Sequence, residues 1–258
     1  MEIQWPSFTG TADLAAVSGR GVAVYYDASL PAAKLCAVGL LVDADRIMAA
    51  NDAIFGTTSQ PVNVVLFAMG GATDGTGGAD HLSCDFVNGG NIEVCVAENN
   101  PMRVSALFEA ELSECSMGGN LCGCSTGEAL SRWCAASVSN NALADFATAP
   151  TWFANGMTNW IDKTDPTDQN PDSTGCGMAF ISFLLSKGHK LSEIAYQMVK
   201  LGTGGTFAQL YSALNYSAGT AWSDFLAALP APVTSDDPFS ASAIKSAPAI
   251  KSHRLRKS

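Results

Sequence analysis

The stretch ALFEAELSECSMGG, Ala106–Gly119, decides how the chain is read. From Met102 onward apolar residues recur at helical spacing. Met102, Leu107, Ala110, Leu112 and Cys115 can therefore share one buried side, and Gly118-Gly119 ends the helix. Glu111 and Glu114, three residues apart, lie on a common face of it. Two such carboxylates can face solvent or pair with Arg103 and Arg132. In a cleft, by contrast, their repulsion keeps one of them protonated or calls for a neutralising cation.

Before this helix the sequence predicts strands, and after it helices. GVAVYYD, Gly21 to Asp27, is a run of β-formers. A long helix follows, capped by Ser29 with Pro31 in its first turn, and Leu35, Val38, Leu41, Val42 and Ile47 sit at helical spacing. PVNVVLFAMGG, from Pro61, reads as a buried strand running into a Gly-rich loop. HLSCDFVNGGNIEVCV, His81 to Val96, alternates around Asn88-Gly89-Gly90 as a hairpin, across which Cys84 and Cys95 can face each other. Helices are expected from about Gly127, from Gly175 to Gly188, near Leu191–Lys200 and Phe207–Leu214, and from Trp222 to Leu229. This divides the chain into a strand-rich lobe over 1–101, the glutamate helix and a helical lobe over 102–229, and a linker-like tail over 230–258. The tail carries four prolines, a doubled AIKS and a net charge of +3 from five basic and two acidic residues, which leaves −13 on residues 1–229.

Composition narrows the partners. With 24 acidic and 14 basic residues in 258, and no interleaving of basic and aromatic side chains, a nucleic-acid backbone is a poor fit and a cationic or neutral ligand a better one. The longest apolar run, Ala32 to Val42, falls short of the roughly 20 residues of a membrane span. Eight cysteines, at 36, 84, 95, 115, 122, 124, 134 and 176, read as disulfides more readily than as zinc ligands. With few lysines and much Gly, Ser, Thr and Asn, they suggest a secreted or periplasmic protein. MEIQWPSF lacks a basic and apolar leader, so a signal peptide is expected to be absent or already trimmed.

The order of elements resembles the gluzincin branch of the zincin metallopeptidases, over roughly residues 20–229. AELSE, Ala110–Glu114, stands where HExxH would stand. GEALSR, Gly127–Arg132, resembles the later segment that supplies a glutamate ligand, and GCGMAFISFLLSKG resembles a helix further downstream. Similar phrases occur in a group of secreted bacterial proteins with no activity attached. The resemblance implies an α+β, zincin-like fold: a mixed sheet with helices, then a helical C-terminal lobe, with a site between the lobes. It also implies Glu111 as the base and Glu114 and Glu128 as ligands or acid partner. The first ligand position is Ala110, however, and of the three histidines only His81 lies in the candidate region, so a two-histidine zinc site is not expected.

If Glu111, Glu114 and Glu128 converge, they suit a hard cation, Ca²⁺, Mg²⁺ or Mn²⁺, with Glu114 and Glu128 as its ligands. Without a metal, they suit acid–base hydrolysis of a peptide or glycan, with His81 nearby. The alternative is a catalytically silent member of the fold that keeps the cleft for binding. Weaker candidates are His81 with Cys84 and Asp85 as a nucleophile and base or a ligand, the aspartates 162, 165, 168 and 172 as a calcium loop, and Trp133, Trp152 and Trp160 as a stacking surface. GGATDGTGG, from Gly70, lacks a phosphate-binding pattern.

Overall fold

A computed structural model describes residues 1–86 and 90–240. It is a mixed α/β molecule with a six-stranded sheet. The strands are β1 (Glu2–Gln4), β2 (Thr9–Val17), β3 (Val22–Asp27), β4 (Val62–Phe67), β5 (Ala79–His81) and β6 (Gly90–Cys95), in spatial order β1-β2-β3-β4-β6-β5. β3, β4 and β6 run parallel; β1, β2 and β3 form an antiparallel meander; β5 closes the far edge antiparallel to β6, with His81 opposite Ile92. The sheet curls. The β1–β2 turn reaches the face of β6, where the fully buried carboxylate of Glu93 accepts the backbone N–H groups of Ser7 and Phe8.

The central parallel strands are apolar on both faces because both are covered. One face packs under α1 (Pro31–Phe55) and α2 (Pro101–Ser116). The other holds a small cluster of Ile3, Phe8, Ala12, Val65 and Phe67 beneath the β1–β2 turn. The helical half contains α3 (Ser125–Ser139), α4 (Ala149–Ala154), α5 (Pro171–Ser186), α6 (Leu191–Leu201), α7 (Phe207–Ala213) and α8 (Ala221–Ala228) around a second core centred on Trp152, Phe180 and Phe225. α2 joins the halves, packing on α1 and β6 and also on α3.

Several sequence expectations are corrected. Of the apolar set read on α1, Ile47 is buried and Leu41 packs partly on the core, but Leu35, Val38 and Val42 stand exposed, and burial falls instead on Ala33, Ala37, Leu40 and Ala44. Small residues let α1 lie close to the sheet and to α2, and that close approach outweighs the burial of the larger side chains. Ser29 does not cap α1; its hydroxyl donates to Asp27 Oδ1 at 2.7 Å. β1, β2 and α4 escaped prediction, and Met102 is exposed. The folded body runs past Leu229 to Ser240. Val233 is buried, Asp236 Oδ1 accepts the amides of Thr148 and Ala149 at 2.9 and 2.7 Å, and Phe239 packs on Phe183. The hairpin tip at Asn88-Gly89 and the basic tail from 241, with His253, lie outside the described residues.

The expectation of disulfides holds for one pair of cysteines and is corrected for the others. One disulfide forms, Cys84–Cys122. Cys36, Cys95, Cys115, Cys124, Cys134 and Cys176 are free and buried, and Cys95 does not face Cys84 in a pair.

Candidate active site between the sheet edge and the helical half

α2 starts where Asn100 accepts the amide of Arg103 and Pro101 takes the first turn, and it ends at Gly118 and Gly119, both in the left-handed region. Its 3.6-residue period turns Leu107, Ala110, Glu111 and Glu114 to one cleft. The edge strand β5 brings Asp80 and His81 to the opposite wall, and the first two turns of α3 bring Glu128, Ser131 and Arg132. α3 can start there because Gly127 passes close under Leu121, where a Cβ would collide with the Leu121 carbonyl oxygen. The floor is Leu143 and Phe146, and the far end is Thr148 with Asp168, Gln169 and the first turn of α5. The space enclosed is about 590 Å³.

His81, Glu111, Glu114 and Glu128 therefore share one concavity. Nδ1 of His81 lies 2.7 Å from Oε2 of Glu111, and its Nε2 lies 3.6 Å from Oε2 of Glu114 and 3.4 Å from Sγ of Cys122. One ligand atom from each of His81, Glu111 and Glu114 falls within 4.8 Å of the others. Glu128 stands apart from this trio. Its Oε1 accepts from Nε of Arg132 at 2.6 Å, one helical turn on, and the same guanidinium donates to the Phe146 carbonyl. Arg103 does not hold these glutamates; it forks onto Asp145 at 2.6 and 2.8 Å and lies over the Phe146 ring.

This arrangement holds protons. Burial raises the carboxyl of Glu114 to about 8, reinforced by the negative charges of Glu111 and Glu128. Burial also raises Glu111, opposed by its bond to His81. For His81, burial works against the imidazolium. The hydrogen bond to Glu111 and the fields of Glu111, Glu114 and Asp80 outweigh it, lifting the ring to about 8. Near neutrality the cleft thus carries a protonated carboxyl of Glu114 beside the hydrogen-bonded His81–Glu111 pair.

Two of the three tryptophans and three of the four aspartates hold structural roles. Trp152 is fully buried and stacks on Phe225, and Trp133 donates its indole N–H to the Met178 carbonyl, so neither offers a stacking surface. Asp165 accepts from Asn170 and Ser173, and Asp172 from Asn155, which pins the start of α5; Asp162 accepts from Asn159 within the preceding loop. Pro171 opens α5, with Asn170 as its cap. Only Asp168 of this set reaches the cleft. His189 pairs with Glu193 and Tyr216 elsewhere.

Sequence reasoning missed Asp80, Thr148 and Thr174 as cleft residues, and singled out Asp168 only as one of an aspartate-rich loop. Thr148 and Thr174 carry buried hydroxyls without partners, and nothing in their local sequence marks them. Cys122 beside His81 was equally invisible, because its neighbour is 41 residues away. No protein-family model matches the chain, and no curated protein matches its sequence.

Proposed function

We propose that the protein is a hydrolase of zincin-like architecture that cleaves a peptide or glycan in the cleft between its sheet-containing and helical halves. One observation carries this reading: the 2.7 Å contact of His81 with Glu111, beside a carboxyl of Glu114 raised to about 8. An acid that keeps its proton near neutrality, beside a carboxyl group hydrogen-bonded to a histidine, supplies the donor and the acceptor that acid–base hydrolysis requires. Glu111, oriented and charge-balanced by His81, takes a proton from the attacking water. Glu114, protonated near neutral pH, donates one to the leaving group. Glu128 and Arg132 form an ion pair that shapes the wall. β5, at the sheet edge, lines the cleft in a position suited to an extended substrate. The Cys84–Cys122 disulfide supports a secreted or periplasmic setting.

The zinc ion of the zincin pattern does not fit positions 110, 114 and 128, since Ala110 has no donor and Glu128 is neutralised by Arg132. A hard cation, Ca²⁺, Mg²⁺ or Mn²⁺, would find carboxylate donors in Glu111 and Glu114 instead, since the imidazole of His81 is not a hard donor. The Glu128–Arg132 pair also favours a second reading, a silent binding protein, because it removes one carboxylate from the chemistry.

The test is turnover of a pooled peptide library, read by mass spectrometry, and of mixed polysaccharides, read by new reducing ends, with and without each of the three cations. Cleavage that vanishes in a folded Glu111→Gln variant supports the hydrolase. A wild-type protein that cleaves neither pool but retains components of one of them supports the binding protein.

A further inference from the structure

We infer that His81, Cys84 and Cys122 form a zinc site when the disulfide between the two cysteines is reduced, so that the protein exchanges a covalent cross-link for a bound metal ion at the rim of the cleft. The inference shares His81 with the hydrolase reading and does not depend on it.

The donors are already assembled. One atom each from His81, Cys84 and Cys122 lies within 4.8 Å of the others, and Nε2 of His81 sits 3.4 Å from Sγ of Cys122. Two ligands on a tetrahedral zinc ion, at bonds of about 2.0 and 2.3 Å, stand roughly 3.5 Å apart. The Cα atoms of Cys84 and Cys122 are 5.7 Å apart, so rotation of the side chains separates the freed sulfurs around an ion without moving the backbone. The ring already points the right way, because Nδ1 is committed to Glu111. That leaves Nε2 facing the sulfurs, in the carboxylate–histidine–metal order found around zinc. Glu114 Oε2, 3.6 Å from Nε2, or a water molecule can take the fourth position.

The chemistry is specific to the reduced chain. Thiolate and imidazole donors select zinc over Ca²⁺, Mg²⁺ or Mn²⁺. Reduction by a phosphine consumes one water and yields two thiols and one phosphine oxide. Zinc then displaces both thiol protons, and the Nε2 proton where the ring is charged, into solvent. All three residues are half-buried, whereas the six other cysteines are buried. The disulfide spans two connections, one after β5 and one before α3, so a zinc ion in its place keeps His81 at the cleft wall.

The experiment uses the full chain, reduced anaerobically with a phosphine and titrated with Zn²⁺ against a chromophoric chelator, beside the untreated oxidised chain. The expected result is one zinc per reduced chain and none held by the oxidised chain. Alkylation mapping by mass spectrometry should show zinc slowing modification of Cys84 and Cys122 selectively. Glu111→Gln should weaken zinc binding about 10- to 100-fold by loosening the ring. The mapping needs no cysteine variant, so a misfolded Cys122→Ser does not obscure the answer. The proposal is overturned if the reduced chain unfolds or takes up no zinc, if the oxidised chain binds zinc equally well, or if protection falls on other cysteines. Failure of the hydrolase reading would appear separately, as absent turnover with zinc binding intact.

Discussion

Nδ1 of His81, on the edge strand, lies 2.7 Å from Oε2 of Glu111, on the helix that joins the two halves of the molecule. A residue from the sheet and one from the helix thereby become one proton-sharing unit, and Glu114 sits one helical turn away with its own raised proton affinity. From this relationship follow expectations for activity, for stability against pH and for the surrounding core.

Glu114→Gln should remove the proton donor while keeping the shape of the cleft. Hydrolysis is expected to fall by about 10²- to 10⁴-fold, the usual worth of a general acid. In the parent protein the rate should decline as pH rises through about 8, where Glu114 gives up its proton. That alkaline limb should be lost from the residual activity of the variant. Rate–pH profiles of both proteins check this.

Stability should be greatest on the acid side of neutrality. The folded Glu114 keeps its proton up to about 8, against an ordinary 4.5, so between those values the unfolded chain releases a proton that the folded chain retains. Stability then falls with rising pH, by up to about 1.4 kcal/mol per unit for one such group. His81, raised from 6.5 to about 8, adds a stabilisation that is complete below 6.5 and lost through about 8. Chemical denaturation across this range should show a declining midpoint in the parent and a shallower decline in Glu114→Gln.

Glu109 is fully buried on α2, and neither carboxyl oxygen has a hydrogen-bond partner. Burial raises its proton affinity well above the ordinary value, so it resides in the core as the neutral acid. Glu109→Gln should change stability by less than about 1 kcal/mol at neutral pH, since it replaces one neutral polar group with another of the same size. In alkaline solution, where the parent must ionise a buried acid, the variant should be the more stable. Paired melting curves at the two pH values decide it.

Removing the Cys84–Cys122 bond frees a loop of 38-residue separation. Loop-closure entropy puts the loss at about 4 kcal/mol. Cys84→Ser with Cys122→Ser should therefore lower the denaturation midpoint by a corresponding amount, and the loss should exceed that from Cys36→Ala at a free cysteine.

The legibility of this fold varied with the kind of physics at each position. Helical period, an asparagine cap and paired glycines made α2 readable, and with it the shared face of Glu111 and Glu114. The same rules misread α1, because hydrophobicity scales favour Leu35, Val38 and Val42, whereas close helix–sheet packing selected the alanine face. β2, TGTADLAAV, alternates small and polar residues and gives little signal of a strand. In the cleft, Arg132 was readable as a partner of Glu128 from their spacing of four. Cys122 and Thr148 arrive through tertiary contacts alone, and local sequence does not encode them, whereas Asp168 stood out locally as one of an aspartate run.

The central claim is that His81 and Glu111 share a proton beside Glu114, and NMR titration of the imidazole nitrogens tests it most directly. With three histidines in the chain, His81 can be assigned by a single His81→Gln spectrum. His81 should remain protonated at pH 7 and titrate near 8, and in Glu111→Gln its midpoint should fall towards 6.5 or below. A His81 that titrates at or below 6.5 in the parent, unchanged when Glu111 is replaced, would contradict the coupling and with it the proposed acid–base chemistry.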